Sequence, residues 1–106
     1  MTDREAAQKL GMTVVHQEDD RELSGVFCCD LLSVAMARAK ADGAWVTVIG
    51  NVNAVAVADL TDTACLILAE GYSFDDAAVK AASGKISLYQ SKSPVFETAL
   101  AINELL

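Results

Sequence analysis

The sequence has one proline, one histidine and no run of basic residues, and each shortage removes a class of function. A single proline in 106 residues that are 53% hydrophobic describes a packed chain and not a disordered segment. Eight Lys and Arg stand against fifteen Asp and Glu, and the net charge of −7 argues against nucleic acid and anionic membrane as partners, which need a basic stripe. No apolar stretch approaches a bilayer span and the opening MTDREAAQKL has no apolar signal core, so a cytoplasmic protein with no membrane partner is expected.

Catalytic and metal signatures are equally scarce. His16 is the only histidine, no Cys-x-x-Cys occurs, and three cysteines (Cys28, Cys29, Cys65) form no disulfide framework, so neither metal nor cofactor is expected. The chain lacks GxxxxGK[ST], GxGxxG and GxSxG, which removes the phosphate-cradling loop, the dinucleotide fingerprint and the nucleophile elbow. Cys29, beside a predicted helix start, is the best candidate for a reactive thiol, but nothing nearby in sequence supplies a base. A non-catalytic protein is the expectation.

What is present is an alternation of short apolar runs and amphipathic helices. Thr2 with Glu5 three residues later makes a capping box for a helix over 2–10 that stops at Gly11. A strand over 12–16 follows, then the acidic connection 18–22 and a turn at Ser24-Gly25. The run 25–29 reads as a strand, and Asp30 as the cap or first-turn acid of a helix reaching about Ala41, with Gly43 as its stop. Residues 45–49 read as a strand broken by Gly50-Asn51. The segment 53–60, NAVAVADL, alternates like a strand yet suits a helix capped by Asn51 or Asn53, and periodicity leaves both readings open. The run 64–69 is continuously apolar, as a central parallel strand would be. Ser73 is the expected cap of a helix over 74–82, 85–89 is a last strand, and Ser93-Pro94 opens the C-terminal helix.

Repeated βα units with short loops predict a single α/β domain over 1–106: an open, mainly parallel sheet of four to five strands with helices on both faces. Ligands of such sheets bind beyond the carboxyl ends of the strands. Four junctions share that edge: Cys29-Asp30 with Ser33, Gly50–Asn53, Glu70–Ser73 and Gln90–Ser93. Their hydroxyls, amides and free N–H groups suit a small polar or anionic ligand, although Ser, Asn and Asp are also what helix caps require. The candidate ligand-binding residues are Asp30, Ser33, Asn51, Asn53 and Glu70, with Asp30 and Glu70 able to face one another as a carboxylate pair.

Asp30-Leu31-Leu32-Ser33, Trp45-Val46-Thr47 and Asn53-Ala54-Val55-Ala56-Val57-Ala58, in that order and spacing, resemble the small bacterial DRTGG domain family. Ile67-Leu68-Ala69-Glu70-Gly71 and the terminal helix around Phe96-Glu97 extend the resemblance over residues 12–106. It implies an α/β domain and a helix at 53–60. In relatives the domain accompanies nucleotide-sensing CBS domains, one type of inorganic pyrophosphatase and acetyl-transferring enzymes, as a regulatory or dimer-forming part. Free-standing members resemble those encoded near iron-only hydrogenase genes. The resemblance implies a non-catalytic regulatory module, and together with the polar edge it leads to the expectation of a homodimeric regulatory protein that senses a small anionic ligand or nucleotide. The alternatives are an interaction or scaffold domain with no small ligand, and a thiol-based redox or metal accessory using Cys28 and Cys29.

Overall fold

Strands that are apolar at every residue need cover on both faces, and the helices supply it. The computed structural model describes all 106 residues. Its elements are α1 (Asp3–Lys9), β1 (Thr13–His16), β2 (Gly25–Cys28), α2 (Leu32–Arg38), β3 (Gly43–Thr47), α3 (Val52–Leu60), β4 (Cys65–Leu68), α4 (Asp76–Ala82), β5 (Ser87–Gln90) and α5 (Val95–Leu105). The strands form one sheet in the order β1-β5-β4-β3-β2. Strands β2 to β5 are parallel, while β1 runs antiparallel to β5 with a bulge between Val14 and His16. The expected open, mainly parallel α/β sheet is what the chain forms. No helix is long and apolar enough to cross a membrane.

Alternation along the strands sorts the side chains into two cores. Trp45, Leu66, Leu68 and Leu88 join α2, α3 and α4 on one face. Ala44, Val46, Cys65, Ile67 and Tyr89 join α1 and α5 on the other. The segment 53–60 is helical: the Asn51 side chain accepts from the N–H groups of Asn53 and Ala54, and Ala54, Val55, Val57 and Ala58 are buried as one helix face. Thr2 and Glu5 form the anticipated capping box, and Gly11 takes the left-handed turn beyond α1 at φ +66°.

Three local expectations are corrected. Asp30 does not cap α2, whose N-cap is Leu31 with no side-chain bond. Its Oδ1 instead accepts from Thr47 Oγ1 at 2.7 Å and Val48 N at 2.9 Å, which pins the end of β2 to the end of β3. The helix also stops at Arg38, short of Ala41, because Ala39 turns extended and β3 starts early, at Gly43 opposite Gly25. Ser73 does not cap α4; Asp75 does, accepting from Ala78 N at 2.7 Å. The residues before it are consumed by a turn at Glu70 (φ +64°) and Gly71 (φ +74°) and by burial of Phe74.

The acidic connection between β1 and β2 runs along the starting ends of the parallel strands, where Arg21 fastens it. Its Nε donates to Asp42 Oδ1 at 3.0 Å, Nη2 to Asp62 O at 3.0 Å, and Nη1 to Thr63 O at 3.2 Å. Asp42 and Asp62 hold left-handed backbones (φ +63° and +58°) in the turns leading into β3 and β4. Arg21 therefore offers its planar donors to the two most strained aspartates of that edge. Its backbone N–H donates to Asp3 Oδ1 at 2.8 Å, and the Tyr89 hydroxyl donates to Asp3 Oδ2 at 2.8 Å.

Asp3 is 2% exposed, and burial raises its carboxyl above the ordinary value, against the Arg21 N–H and Tyr89 bonds that favour the charge. The sign follows: an acid with a raised folded value favours the fold when neutral, so this stabilisation is full below about pH 3.8 and fades as pH rises through the folded value. Asp3→Asn keeps an acceptor for Arg21 and cannot ionise. Its stability relative to the wild type should rise with pH from about 4 upward, read by urea unfolding. Asp3→Ala leaves the Tyr89 hydroxyl to Gln17 Oε1 at 2.9 Å but strands the Arg21 N–H, and should cost about 1–3 kcal/mol below about pH 4 and less as pH rises through the folded value. A parallel response of Asp3→Asn and wild type to pH would contradict this account.

Candidate functional site

Where a parallel sheet opens a crevice is set by the direction in which the chain leaves adjacent strands. After β2, β3 and β4 it leaves toward the face covered by α2, α3 and α4; after β5 it leaves toward the opposite face, under α5. The reversal lies between β4 and β5, and a cleft of about 210 Å³ sits there. Its lining comes from the turn after β4 (Gly71, Tyr72, Ser73), the end of β5 (Gln90, Ser91, Lys92) and Thr13 of β1.

The walls are rigidly built. Glu70 N donates to Ser93 O at 2.9 Å and Gly71 N to Ser91 O at 3.1 Å, so the two loops continue the β4–β5 ladder. Gln90 Oε1 accepts from Phe74 N at 3.1 Å, which holds the β4–α4 turn over the strand ends. Ser91 is buried and shares a hydrogen bond of 2.9 Å with Thr98 of α5. With these groups committed, the side chains left to meet a ligand are the Lys92 ammonium, the hydroxyls of Thr13, Tyr72 and Ser73, the free Nε2 of Gln90, and the ring of Tyr72, which is 59% exposed. That set offers one cation, several neutral donors and one aromatic surface. It suits a small anion carrying a hydroxylated or planar portion.

The sequence-based candidates divide between two halves of this edge. Glu70 directly precedes the cleft, and its Oε2 accepts from Val95 N at 2.7 Å. The chain's own carboxylate thereby fills the anion position at the start of α5, whose N-cap is Pro94 and not Ser93. Asp30, Ser33, Asn51 and Asn53 lie at the other half, beyond β2 and β3. Asp30 is bound to Thr47 and Val48, Asn51 caps α3, and Ser33 and Asn53 are exposed on the first turns of α2 and α3. No crevice separates them from the next junction, because Gly50 is pressed against it: a Cβ there would lie 2.8 Å from Leu68 Cδ2 and 3.3 Å from Ser73 O. Asp30 and Glu70 follow β2 and β4 with β3 between, each bound to a backbone N–H, so they do not form a facing pair. Tyr72, Gln90 and Lys92 stand in two of the four junctions that the sequence places on this edge, but neither they nor Thr13 are among its singled-out residues. The readable signal for three of them is their place in the junctions 70–73 and 90–93, beyond the carboxyl ends of two apolar runs.

Elsewhere the chemistry is sparse. His16 lies at the opposite end of the sheet, against Glu18, whose carboxyl is lowered chiefly by the Gly84 N–H and then by His16. Burial, with Asp30 and Cys29 adding, raises the Cys28 thiol, which keeps it protonated. No three His, Cys, Asp or Glu side chains converge as a metal site would need. No family model matches the chain, and no curated protein matches it.

The roles assigned to Asp30 and Asn51 make separable demands. Asp30→Ala strands the buried Thr47 hydroxyl and should cost about 1–3 kcal/mol while far-UV circular dichroism shows unchanged helix content. Asn51→Ala should cost about 1 kcal/mol through loss of the α3 cap. A drop in helicity for Asp30→Ala would restore its reading as a cap.

Proposed function

We propose that this protein is a non-catalytic regulatory module that senses a small anionic ligand, adenine nucleotides foremost, in the cleft between the ends of β4 and β5. The observation that carries the reading is the reversal of chain direction at that point, with Lys92, Ser73, Tyr72 and Thr13 left uncommitted around it. The nucleotide preference rests on Tyr72, whose ring offers a base a stacking face, and on the likeness to the DRTGG family. That likeness also supports a place beside iron-only hydrogenase metabolism and action as a homodimer. For self-association, Phe96 and Leu100 lie one turn apart on α5 and are 67% and 42% exposed, an apolar stripe on an acidic protein.

Thermal unfolding with AMP, ADP, ATP, pyrophosphate and acetyl phosphate tests the reading. A bound ligand at about a hundred times its dissociation constant adds roughly 2.7 kcal/mol, a shift of about 10 °C or more. The shift should vanish in Lys92→Glu and survive in Asn53→Ala, which lies outside the cleft. A flat panel would transfer the function to an interaction module without a small ligand. Sedimentation of Phe96→Glu reports separately on the dimer, which should dissociate to monomer.

A further inference from the structure

The two edges of the sheet are treated differently. Strand β1, at one end, is broken by a bulge between Val14 and His16, a device that discourages further pairing. Strand β2, at the other, is Gly25-Val26-Phe27-Cys28: regular, uncharged and without proline. Cys29 N donates to Val46 O, so by the alternation of a parallel pair Phe27 also bonds inward, while Val26 and Cys28 turn their backbone N–H and C=O groups outward. Nothing in the chain pairs with them on that side.

A second feature coincides with this edge. A cleft of about 250 Å³, lined by Ser24–Phe27, Gly43 and Thr63, opens beside it over the starts of β2, β3 and β4, and Arg38 and Lys40, from the end of α2 and the segment after it, flank it. These are the only basic side chains between Arg21 and Lys80 in a chain of net charge −7. The nearest acid in sequence, Asp42, is held by Arg21, and neither Arg38 nor Lys40 makes an ion pair. Phe27 faces the core under α2, and Val26 the opposite core. An added strand would thus present alternate side chains to the α2 side, where the cations stand, and to the apolar α5 side.

We propose that the open edge of β2 is a docking strand for an extended peptide of a partner protein, with acidic residues alternating with apolar ones. Backbone pairing to Val26 and Cys28 supplies the attachment, and Arg38 and Lys40 select the charge. The site lies on the outer side of β2, with β3 between it and the β4–β5 cleft, so its failure and the failure of the ligand reading are distinguishable.

The probe is the acetylated and amidated pentapeptide Glu-Val-Glu-Val-Glu, with Lys-Val-Lys-Val-Lys as control, followed by amide hydrogen exchange and titration on the full chain. At saturation the Glu peptide should slow exchange at Val26 and Cys28 by roughly tenfold or more. Its affinity should fall by about the same factor in the Arg38→Glu, Lys40→Glu double variant, whose two changed side chains are exposed. Binding of the Lys peptide equal to that of the Glu peptide would overturn the charge selection. Unchanged exchange at Val26 and Cys28 would overturn the edge. Protection of both amides in the free protein, growing with its concentration, would assign the edge to a second copy and overturn the proposal as well.

Discussion

The starting edge of the sheet depends on one tightly stretched connection. β1 and β2 stand at opposite edges, four strand spacings apart, roughly 19 Å at about 4.8 Å each. Eight residues lie between His16 and Gly25; extended they reach about 26–29 Å, but as a helix only about 12 Å. The segment therefore has to run extended along one end of the sheet, and β1 has to arrive at that end, which makes it antiparallel. Arg21, near the middle of the span, converts this geometric necessity into bonds. Its guanidinium closes the turns before β3 and β4, and its N–H reaches Asp3, on which Tyr89 of β5 also rests. One residue thus ties together the connection, the N-terminal helix and the starts of two central strands.

The opposite edge owes its character to the order in which the strands were laid down. Stepping from β2 to β5 one neighbour at a time puts three helices on one face and leaves no crevice between β2, β3 and β4. Gly50 shows how tightly those junctions close: a methyl group there would have to displace the end of the Leu68 side chain. The opening comes where the progression ends and α5 crosses to the bare face. The polar residues of one edge thus end in different roles: Asp30, Asn51 and Glu70 bond the chain's own N–H groups, while Ser73 and Lys92 retain free groups at the cleft. A fold of this kind is compatible with many activities, and that uncommitted set is what favours sensing among them.

Much of the fold was legible in the sequence because several local signals agreed. The Thr2–Glu5 box, the apolar run at 64–69 and the Gly punctuation each pointed to the same alternation, and the structure has it. The segment 53–60 was ambiguous because an Ala/Val alternation satisfies a strand, while its burial at 54, 55, 57 and 58 is a tertiary fact. Asp30 misled for a related reason. An aspartate before an apolar helix looks like a cap from either side, and only the approach of Thr47 and Val48 from the neighbouring strand redirects it. The site was half legible: the edge followed from the βα pattern, but its occupied and unoccupied halves depend on which face α5 covers, a choice no local stretch encodes.

The single tryptophan gives this molecule a built-in optical gauge. Trp45 is fully buried, its ring centroid 5.9 Å from that of Phe27, and its indole N–H donates to the carbonyl of Cys29 at 2.9 Å. Both partners belong to β2 or the residue just beyond it, so the indole reads the edge strand from inside the core. Any event that shifts β2 by a fraction of an ångström alters that hydrogen bond and the ring beside it, and with them the emission of the only strong chromophore in the chain. The edge can be watched in solution without attaching a label to it.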